Sequence, residues 1–398
     1  MKETILVINA GSSSIKFSAY KVADQQDPTL SLTGQIEGIG TRPRLIVKDG
    51  KSSPLIDKSY DASTIDGYES AIETIAGWFG TLGSQGQLFA VGHRVVHGGL
   101  EAAPVLIDDK LLDKLEEAIP LMPLHLPSNL AAIRALRKSQ PSLPQIACFD
   151  TTFHRGRPAI ADRFALPDAL YREGVRRYGF HGLSYEYITE QLQIVAPEIA
   201  TGKVIIAHLG SGASMCALRG GKSVDTTMAF SALDGLPMNT RCGALDPGVV
   251  IYLLREKRMS PDLVERLLYR ESGLRGLSGL SGDVRDLLAS RSPEAKFALD
   301  YFVYHTCREL GGLVAVLKGL DAIVFTAGIG ENSVEMRERI CLQCAWLGLR
   351  LDFEANRAGG PRISAPGSAV SAWVIPTNEE LVIARHTVAL MRPLVSLS

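Results

Sequence analysis

Twice in this chain an apolar strand enters a short loop of glycines and small polar residues and leaves it as another apolar strand. In the first copy Ile5-Leu6-Val7-Ile8-Asn9 gives way to Ala10-Gly11-Ser12-Ser13-Ser14, after which Ile15, Phe17 and Ala19 alternate with Lys16, Ser18 and Tyr20. In the second, Lys203 to Ala207 leads into His208-Leu209-Gly210-Ser211-Gly212, and Ser214 to Leu218 leads out. A Gly/Ser loop between two apolar segments specifies a hairpin. Two such hairpins, one in each half, point to an internal duplication with one loop per domain rather than a short-period repeat array. At 398 residues the chain is long enough for two domains with a cleft between them.

The segments between the hairpins alternate in period. A third strand is expected over Leu30 to Ile36, and helices from the spacing of Tyr68, Ala71, Ile72, Ile75 and Phe79, over Asp109 to Ala118 and over Ser128 to Lys138. Leu88 to Val91 and Ile146 to Phe149 read as buried strands, the latter ending at Asp150. The second half continues with a strand after Gly220-Gly221, a long helix around Glu294 to Lys318 and a buried strand over Ala322 to Phe325. The loop Thr326-Ala327-Gly328-Ile329-Gly330 follows, then a strand near Val374-Ile375 and a final helix from Glu379. Strands alternating with helices after a β-meander mean an α/β fold. Asp24 to Pro28 and Ala358 to Ser368 are expected as surface loops.

Composition narrows the function classes. An apolar fraction of 46% and a charged fraction of 21% exclude wholesale disorder. Lys plus Arg number 42 against 43 Asp plus Glu, so no nucleic-acid-binding surface is expected. No apolar run reaches the length of a membrane span, and Met1-Lys2-Glu3-Thr4 passes straight into a strand without a signal-peptide core. The six cysteines are too few and scattered for a disulfide framework. Cys341 and Cys344 form a C-x-x-C on a helical pattern with no second pair, which reads as two buried thiols before a zinc site. The expectation is a reduced, soluble, cytoplasmic protein without membrane or nucleic-acid partners.

Phosphate is held best by converging backbone N–H groups, which favours Gly and Ser in turns. None of Gly11 to Ser14, Gly210-Ser211-Gly212 and Gly328-Ile329-Gly330 fits a P-loop or dinucleotide fingerprint, and each taken singly is more often just a turn, but three of them, each following an apolar strand, are harder to dismiss. Lys16 is either a phosphate contact or a solvated strand lysine. Arg94, within Gly92-His93-Arg94-Val95-Val96-His97-Gly98-Gly99, and Arg241, within Asn239-Thr240-Arg241-Cys242-Gly243, are forks for carboxylate or phosphate, or structural ion-pair arginines. His181 is either a satisfied core histidine or an imidazole facing developing charge. Asp150 stands where α/β folds place metal or catalytic carboxylates.

Five segments are spread in order along nearly the whole chain: Asn9 to Phe17, Gly92 to Gly99, Arg176-Arg177-Tyr178-Gly179-Phe180-His181-Gly182, Asp246-Pro247-Gly248 and Pro376-Thr377-Asn378-Glu379-Glu380-Leu381. Together they resemble the acetate kinase (acetokinase) family. The resemblance implies two ribonuclease-H-like (actin-like ATPase) domains flanking a nucleotide cleft. The first would hold residues 1–151 plus 382–398; the second, residues 152–381, would bind nucleotide and make a homodimer. It implies ATP/ADP with Mg²⁺, or Mn²⁺ in its place, and reversible phosphorylation of acetate to acetyl phosphate, with propionate or another short carboxylate as the alternative substrate. By position, Asn9 and Glu379 resemble the metal residues, Lys16 a nucleotide-contacting lysine, and His208, Leu209, Gly210, Ser211 and Gly212 the phosphate hairpin. Asp283, Val284 and Arg285, with Gly328, Ile329, Gly330, Glu331 and Asn332, resemble the adenosine segments. Arg94 resembles the substrate-carboxylate arginine, Asp150 the active-site aspartate, and His181 with Arg241 the transition-state pair, while Val96, Phe180 and Ala232 fall at the acyl pocket.

Five positions depart from the family pattern. Ser211 stands for an Asn, Leu183-Ser184-Tyr185 for Thr-Ser-His, Leu126 for an Asn and Ala232 for a common proline. A smaller residue at position 232 leaves room for a longer acyl chain. Rival readings are a sugar or polyol kinase, in which Asp150 would be a base, and an ATP-driven scaffold.

Overall fold

The computed structural model describes residues 3–11, 13–23, 26–81 and 88–395. Ser12 of the first loop, and Asp24 of the expected surface loop Asp24 to Pro28, lie outside the described residues. The chain divides into two units, one running to Arg155 and taking the chain up again at Asn378, the other covering Gly156–Thr377.

The first unit is built on an eight-stranded sheet: β1 (Glu3–Ala10), β2 (Ser14–Val22), β3 (Thr29–Glu37), β4 (Arg44–Asp49), β5 (Pro54–Ser59), β6 (Leu88–Val95), β7 (Val105–Leu106) and β8 (Gln145–Phe149), ordered β5-β4-β3-β2-β1-β6-β8-β7. β1, β2 and β3 pair antiparallel, whereas β1–β6 and β6–β8 are parallel. Helices α1 (Tyr68–Thr81), α2 (Asp109–Glu117) and α3 (Leu126–Ser139) complete the unit with the C-terminal helix Glu379–Val395. Leu6 and Ile8 share a core with Ile72, Ile75 and Phe79 of α1 and Leu136 of α3. On β6, a Cβ at Gly92 would come within 2.4 Å of Thr387 Oγ1 and 2.5 Å of Ile383, so only glycine lets the C-terminal helix sit this close. Helices on both faces explain why β1 is apolar without alternation.

The second unit repeats the plan. Its sheet contains β9 (Lys203–Leu209), β10 (Ala213–Arg219), β11 (Lys222–Thr226), β12 (Ala322–Thr326) and β13 (Ser371–Val374), ordered β11-β10-β9-β12-β13. β9, β10 and β11 are antiparallel, and β9–β12 and β12–β13 parallel. Each unit therefore contains a hairpin strand pair flanked on one side by a third antiparallel strand and on the other by two parallel ones, the ribonuclease-H-like arrangement. Around this sheet come α4 (Asp168–Arg172), α5 (Gly182–Val195), α6 (Pro247–Arg255), α7 (Pro261–Arg270), α8 (Gly273–Ser278), α9 (Val284–Ala289), α10 (Pro293–Leu317), α11 (Ala327–Asn332), α12 (Val334–Gln343) and α13 (Phe353–Ala358). Among the described residues no helix is long and apolar enough to cross a membrane.

Three local expectations need correction. His208 and Leu209 are the last residues of β9, not part of the turn, because they pair with Ser214 and Ala213. The segment after β12 is helical: Ala327 takes φ of 63° and turns the strand directly into α11. Ala358 to Ser368 does not run free on the surface, since Ser364 bridges Leu351, Arg362 bridges Trp373 and Ile363 is fully buried. Cys341 lies on α12 and Cys344 just beyond it, both buried, and the sulfur of Cys344 meets that of Cys307 on α10 at 4.0 Å.

Candidate active site

In the first unit the parallel register of β6 and β8 sets Arg94 opposite Cys148, two residues before Asp150. The arginine grips that carboxylate side-on: Nε donates to Asp150 Oδ1 at 3.0 Å and Nη2 to Oδ2 at 2.7 Å. Glu379, at the start of the C-terminal helix, brings Oε2 to 3.6 Å from Arg94 Nε. Burial works against the guanidinium charge, but the charges of Asp150 and Glu379 and the Asp150 hydrogen bonds outweigh it and push the Arg94 pKa up.

The neighbouring residues explain the unusual strand end. His93 bonds Gln145 at 2.8 Å, and His97 Nδ1 accepts from the Gly99 N–H at 3.0 Å. Burial holds both imidazoles down to about 4, with the charge of Arg155 adding to the effect at His97, so both are neutral at pH 7. They are structural, and Arg94 is the charged member of the segment. A Cβ at Gly98 would lie 2.4 Å from the Phe149 ring, which accounts for that glycine.

Asn9 is the penultimate residue of β1 and is paired in register with the exposed Lys16 of β2. Just beyond it, Asn129 of α3, buried, donates to the Ala10 carbonyl at 2.8 Å and accepts from the Val96 N–H at 3.1 Å. This clamp fixes the first loop against the strand end carrying Arg94. Its signal was available in the sequence: two polar residues, Ser128 and Asn129, on the buried stripe of an amphipathic helix.

In the second unit the hairpin between β9 and β10 is closed by the Gly210 N–H donating to Gly212 O at 3.1 Å. His181 and Arg241 converge on it: a Cβ at Gly212 would stand 3.3 Å from His181 Nε2 and 3.5 Å from Arg241 Nη2. His181 precedes α5 in a left-handed conformation, φ 57°, and its Nδ1 shares a hydrogen bond with Ser214 Oγ at 2.7 Å. Tyr185, one turn along α5, reaches the same Ser214 hydroxyl at 2.5 Å. Tyr185 thus supports the hydroxyl that holds the imidazole. His208 stacks on His181, centroids 4.1 Å apart, and bonds Ser184 Oγ at 2.8 Å. Arg241 is anchored from behind, Nη1 donating to the Ala232 carbonyl at 2.8 Å. Sequence reasoning missed Ser214 of β10 and Ser184 of α5, because a lone serine has no signature until its partner is placed, and it passed over the signal of Asn129.

The remaining candidates divide by burial. Ser211, Gly328 and Asn332 are exposed, whereas Leu209 and Val284 bury their side chains. Asp283 caps α9 by accepting from the Arg285 N–H and pairs with the Arg285 guanidinium. Glu331 turns inward, its Oε1 accepting from the N–H groups of Ala327 at 2.8 Å and Thr377 at 3.0 Å. Gly210 adjoins α11, its ideal Cβ 3.5 Å from that of Ala327. Val96, Phe180 and Ala232 are all buried. Among the described residues no three His, Cys, Asp or Glu side chains gather as a metal cage.

Comparison with known proteins adds a finding. The profile of the acetokinase family matches residues 4–385. The chain is 53% identical over 392 residues to the acetate kinase of Nitrobacter hamburgensis, covering 98% of this chain and 96% of that protein, and 51% identical to that of Rhizobium meliloti, covering 98% of each. Among solved structures it is similar to Porphyromonas gingivalis acetate kinase (TM-score 0.86, 33% identity, 98% and 100% coverage). It is also similar to a propionate kinase from Francisella tularensis (TM-score 0.89, 35% identity, 97% and 99% coverage).

Proposed function

The chain belongs to the acetokinase family, and from that premise we propose that it transfers the γ-phosphoryl group of ATP reversibly to acetate, giving acetyl phosphate and ADP. The observation that carries this reading is the convergence of His181 Nε2 and Arg241 Nη2 on Gly212. Two side-chain donors over a glycine hairpin form a receptor for a phosphoryl group whose equatorial oxygens gain no proton during transfer.

The acceptor is an anion already. A short carboxylic acid titrates near the ordinary Glu value, about 4.3, so at pH 7 the nucleophile needs no base. Asp150, engaged with Arg94, acts here as an orienting group. Of the five guanidinium N–H bonds of Arg94, Asp150 takes one on Nε and one on Nη2, which leaves the Nη1–Nη2 edge as a second fork for the substrate carboxylate. Arg94 has two carboxylates near it and so brings no net positive charge. Cations must come from elsewhere, and this assigns Glu379, with the amide oxygen of Asn9, to Mg²⁺. Both are hard oxygen donors, and an ion held by one carboxylate and an amide keeps its remaining positions for water and phosphate. When bound, Mg²⁺ neutralises phosphate charge; His181, Arg241 and the hairpin N–H groups orient the transferred group.

Lys16 and the segments Asp283 to Arg285 and Gly328 to Asn332 are the proposed nucleotide contacts. For Glu331 the role is structural support, given its inward hydrogen bonds. Ala232 supports propionate as a second acceptor, in line with the similarity to a propionate kinase. We assign a homodimer to the face of α6, which buries none of its residues and exposes Val249, Ile251 and Tyr252. The six free thiols support a cytoplasmic location. The test is a hydroxamate assay with ATP and Mg²⁺ offering acetate, propionate and butyrate. Acyl hydroxamate from acetate, and less from butyrate, is expected; phosphorylation of glycerol instead would replace the reading by a polyol kinase.

A further inference from the structure

The largest fully buried side chain in the described structure is an arginine, Arg337, with 1% of its surface exposed. It sits on α12, and no carboxylate pairs with it among the described residues. Its guanidinium spends its hydrogen bonds on two places. Nη1 donates to the carbonyls of Gly330 at 3.0 Å and Glu331 at 2.7 Å. Nε donates to Asn356 Oδ1 and Nη2 to the Asn356 carbonyl, both at 2.8 Å. Asn356, fully buried on α13, returns a bond from Nδ2 to Val334 O at 3.0 Å. Burial lowers the Arg337 pKa, yet an arginine stays protonated in a protein. A buried cation without a carboxylate is costly unless strong dipoles face it. Here the last carbonyls of α11, the negative end of a helix, supply them.

The location of this expense is informative. α11 is the segment Ala327–Asn332, entered through a residue with φ of 63° and only six residues long, so its own hydrogen bonding cannot hold it rigid. Its two glycines differ. A Cβ at Gly330 would meet Phe325 at 3.3 Å, so this residue packs down on β12, whereas Gly328 is exposed with nothing within 4 Å of a Cβ. The packed end of α11 is the end that Arg337 holds, and the open end is offered to a ligand.

We infer that Arg337, locked by Asn356, is a positioning residue for the nucleotide: it fixes the carbonyls of Gly330 and Glu331 so that the Gly328-Ile329 edge of α11 is pre-formed for the adenosine. This rests on the reading of residues 328–332 as a nucleotide segment. Arg337 lies behind that segment, so its loss acts on nucleotide affinity, with no direct route to the acceptor carboxylate.

The test compares steady-state constants for wild type, Arg337→Lys, Asn356→Ser and Gly328→Leu. Lysine keeps the charge but cannot span both carbonyls and Asn356. The expected result is an ATP KM raised about tenfold in Arg337→Lys, the order of one lost charge-assisted hydrogen bond, and a smaller rise in Asn356→Ser. The acetate KM should stay within about twofold, a split that a general loss of folded structure does not produce. Equal rises in both KM values, or an unchanged ATP KM, would overturn the inference. Gly328→Leu tests the underlying reading, because its side chain points into open space. A raised ATP KM there beside an unchanged one in Arg337→Lys sinks only the positioning role; an unchanged value in Gly328→Leu sinks the assignment of the segment. Hydrogen exchange on the wild-type protein needs no variant to fold. ADP should slow exchange in 334–343 and 353–358 together with 327–332, and protection that stops at 332 contradicts the coupling.

Discussion

Arg94 holds Asp150 through the Nε–Nη2 side of its guanidinium and leaves the Nη1–Nη2 edge turned away from that carboxylate. One arginine can then do two jobs: satisfy a carboxylate that is 1% exposed, and offer a second planar fork to an incoming one. On the proposed reading Asp150 is not a base waiting for a proton but the group that fixes the plane of the fork.

Asp150→Asn should therefore lower kcat/KM for acetate by about 10- to 100-fold, the usual effect of a lost orienting partner, while the shape of the pH–rate profile is kept. The check is kcat/KM measured from pH 6 to 9. Disappearance of a basic limb in the variant would restore Asp150 to the role of general base.

Gly212→Ala places a methyl group 3.3 Å from His181 Nε2, a contact the imidazole must give way to, and 3.5 Å from Arg241 Nη2, an ordinary van der Waals contact. We expect kcat to fall at least about tenfold with a change in Tm of only a few degrees, since the alanine displaces the imidazole tip and removes no core contact. Paired kinetics and thermal denaturation measure both; an unaltered kcat would mean that the His181 tip does not act at this hairpin.

Ser214→Ala removes the hydroxyl shared by His181 Nδ1 and Tyr185. Its kcat should drop about tenfold, in line with one hydrogen bond that orients a reacting group, with both KM values near wild type. The tautomer of His181, read by ¹⁵N NMR, should become mixed. A single unchanged tautomer would show that the serine does not set it.

The buried histidines make stability depend on pH in one direction. His93 and His97 are held to about 4 in the folded protein against about 6.5 when unfolded. Below the unfolded value the unfolded chain binds more protons, so their contribution is complete above pH 6.5 and is lost as the pH falls towards 4. Each should remove about 1.4 kcal/mol per pH unit in that window. Denaturant unfolding at pH 7.0 and 5.5, before most carboxylates titrate, measures it; equal stability at the two values would contradict the assignment of both as neutral core residues.

Much of this was legible in the chain. Both glycine hairpins, the continuous apolar run of β1 and the long helix α10 follow from period and length alone. Helix α11 was not legible, because the glycines that read as a loop are there for close packing on β12 and an open edge, neither of which has a local signature. Ser214 was invisible for a related reason: it is a polar residue whose partner, His181, is set by pairing across the fold. Arg94 and Asp150 were both visible as candidates, but not as partners, since 56 residues separate them and only the parallel register of β6 and β8 brings them together.

The central claim is a division of labour in which the fork of Arg94 takes the acceptor carboxylate and Arg241 acts on the phosphoryl group in transit. Steady-state kinetics of Arg94→Ala and Arg241→Ala test it most directly, with circular dichroism to establish that Arg94→Ala is folded, since losing one partner of a buried pair costs about 3–5 kcal/mol. The prediction is a raised acetate KM as the main effect in the first variant and a lowered kcat as the main effect in the second. Similar, mild changes in both constants for both variants would contradict it.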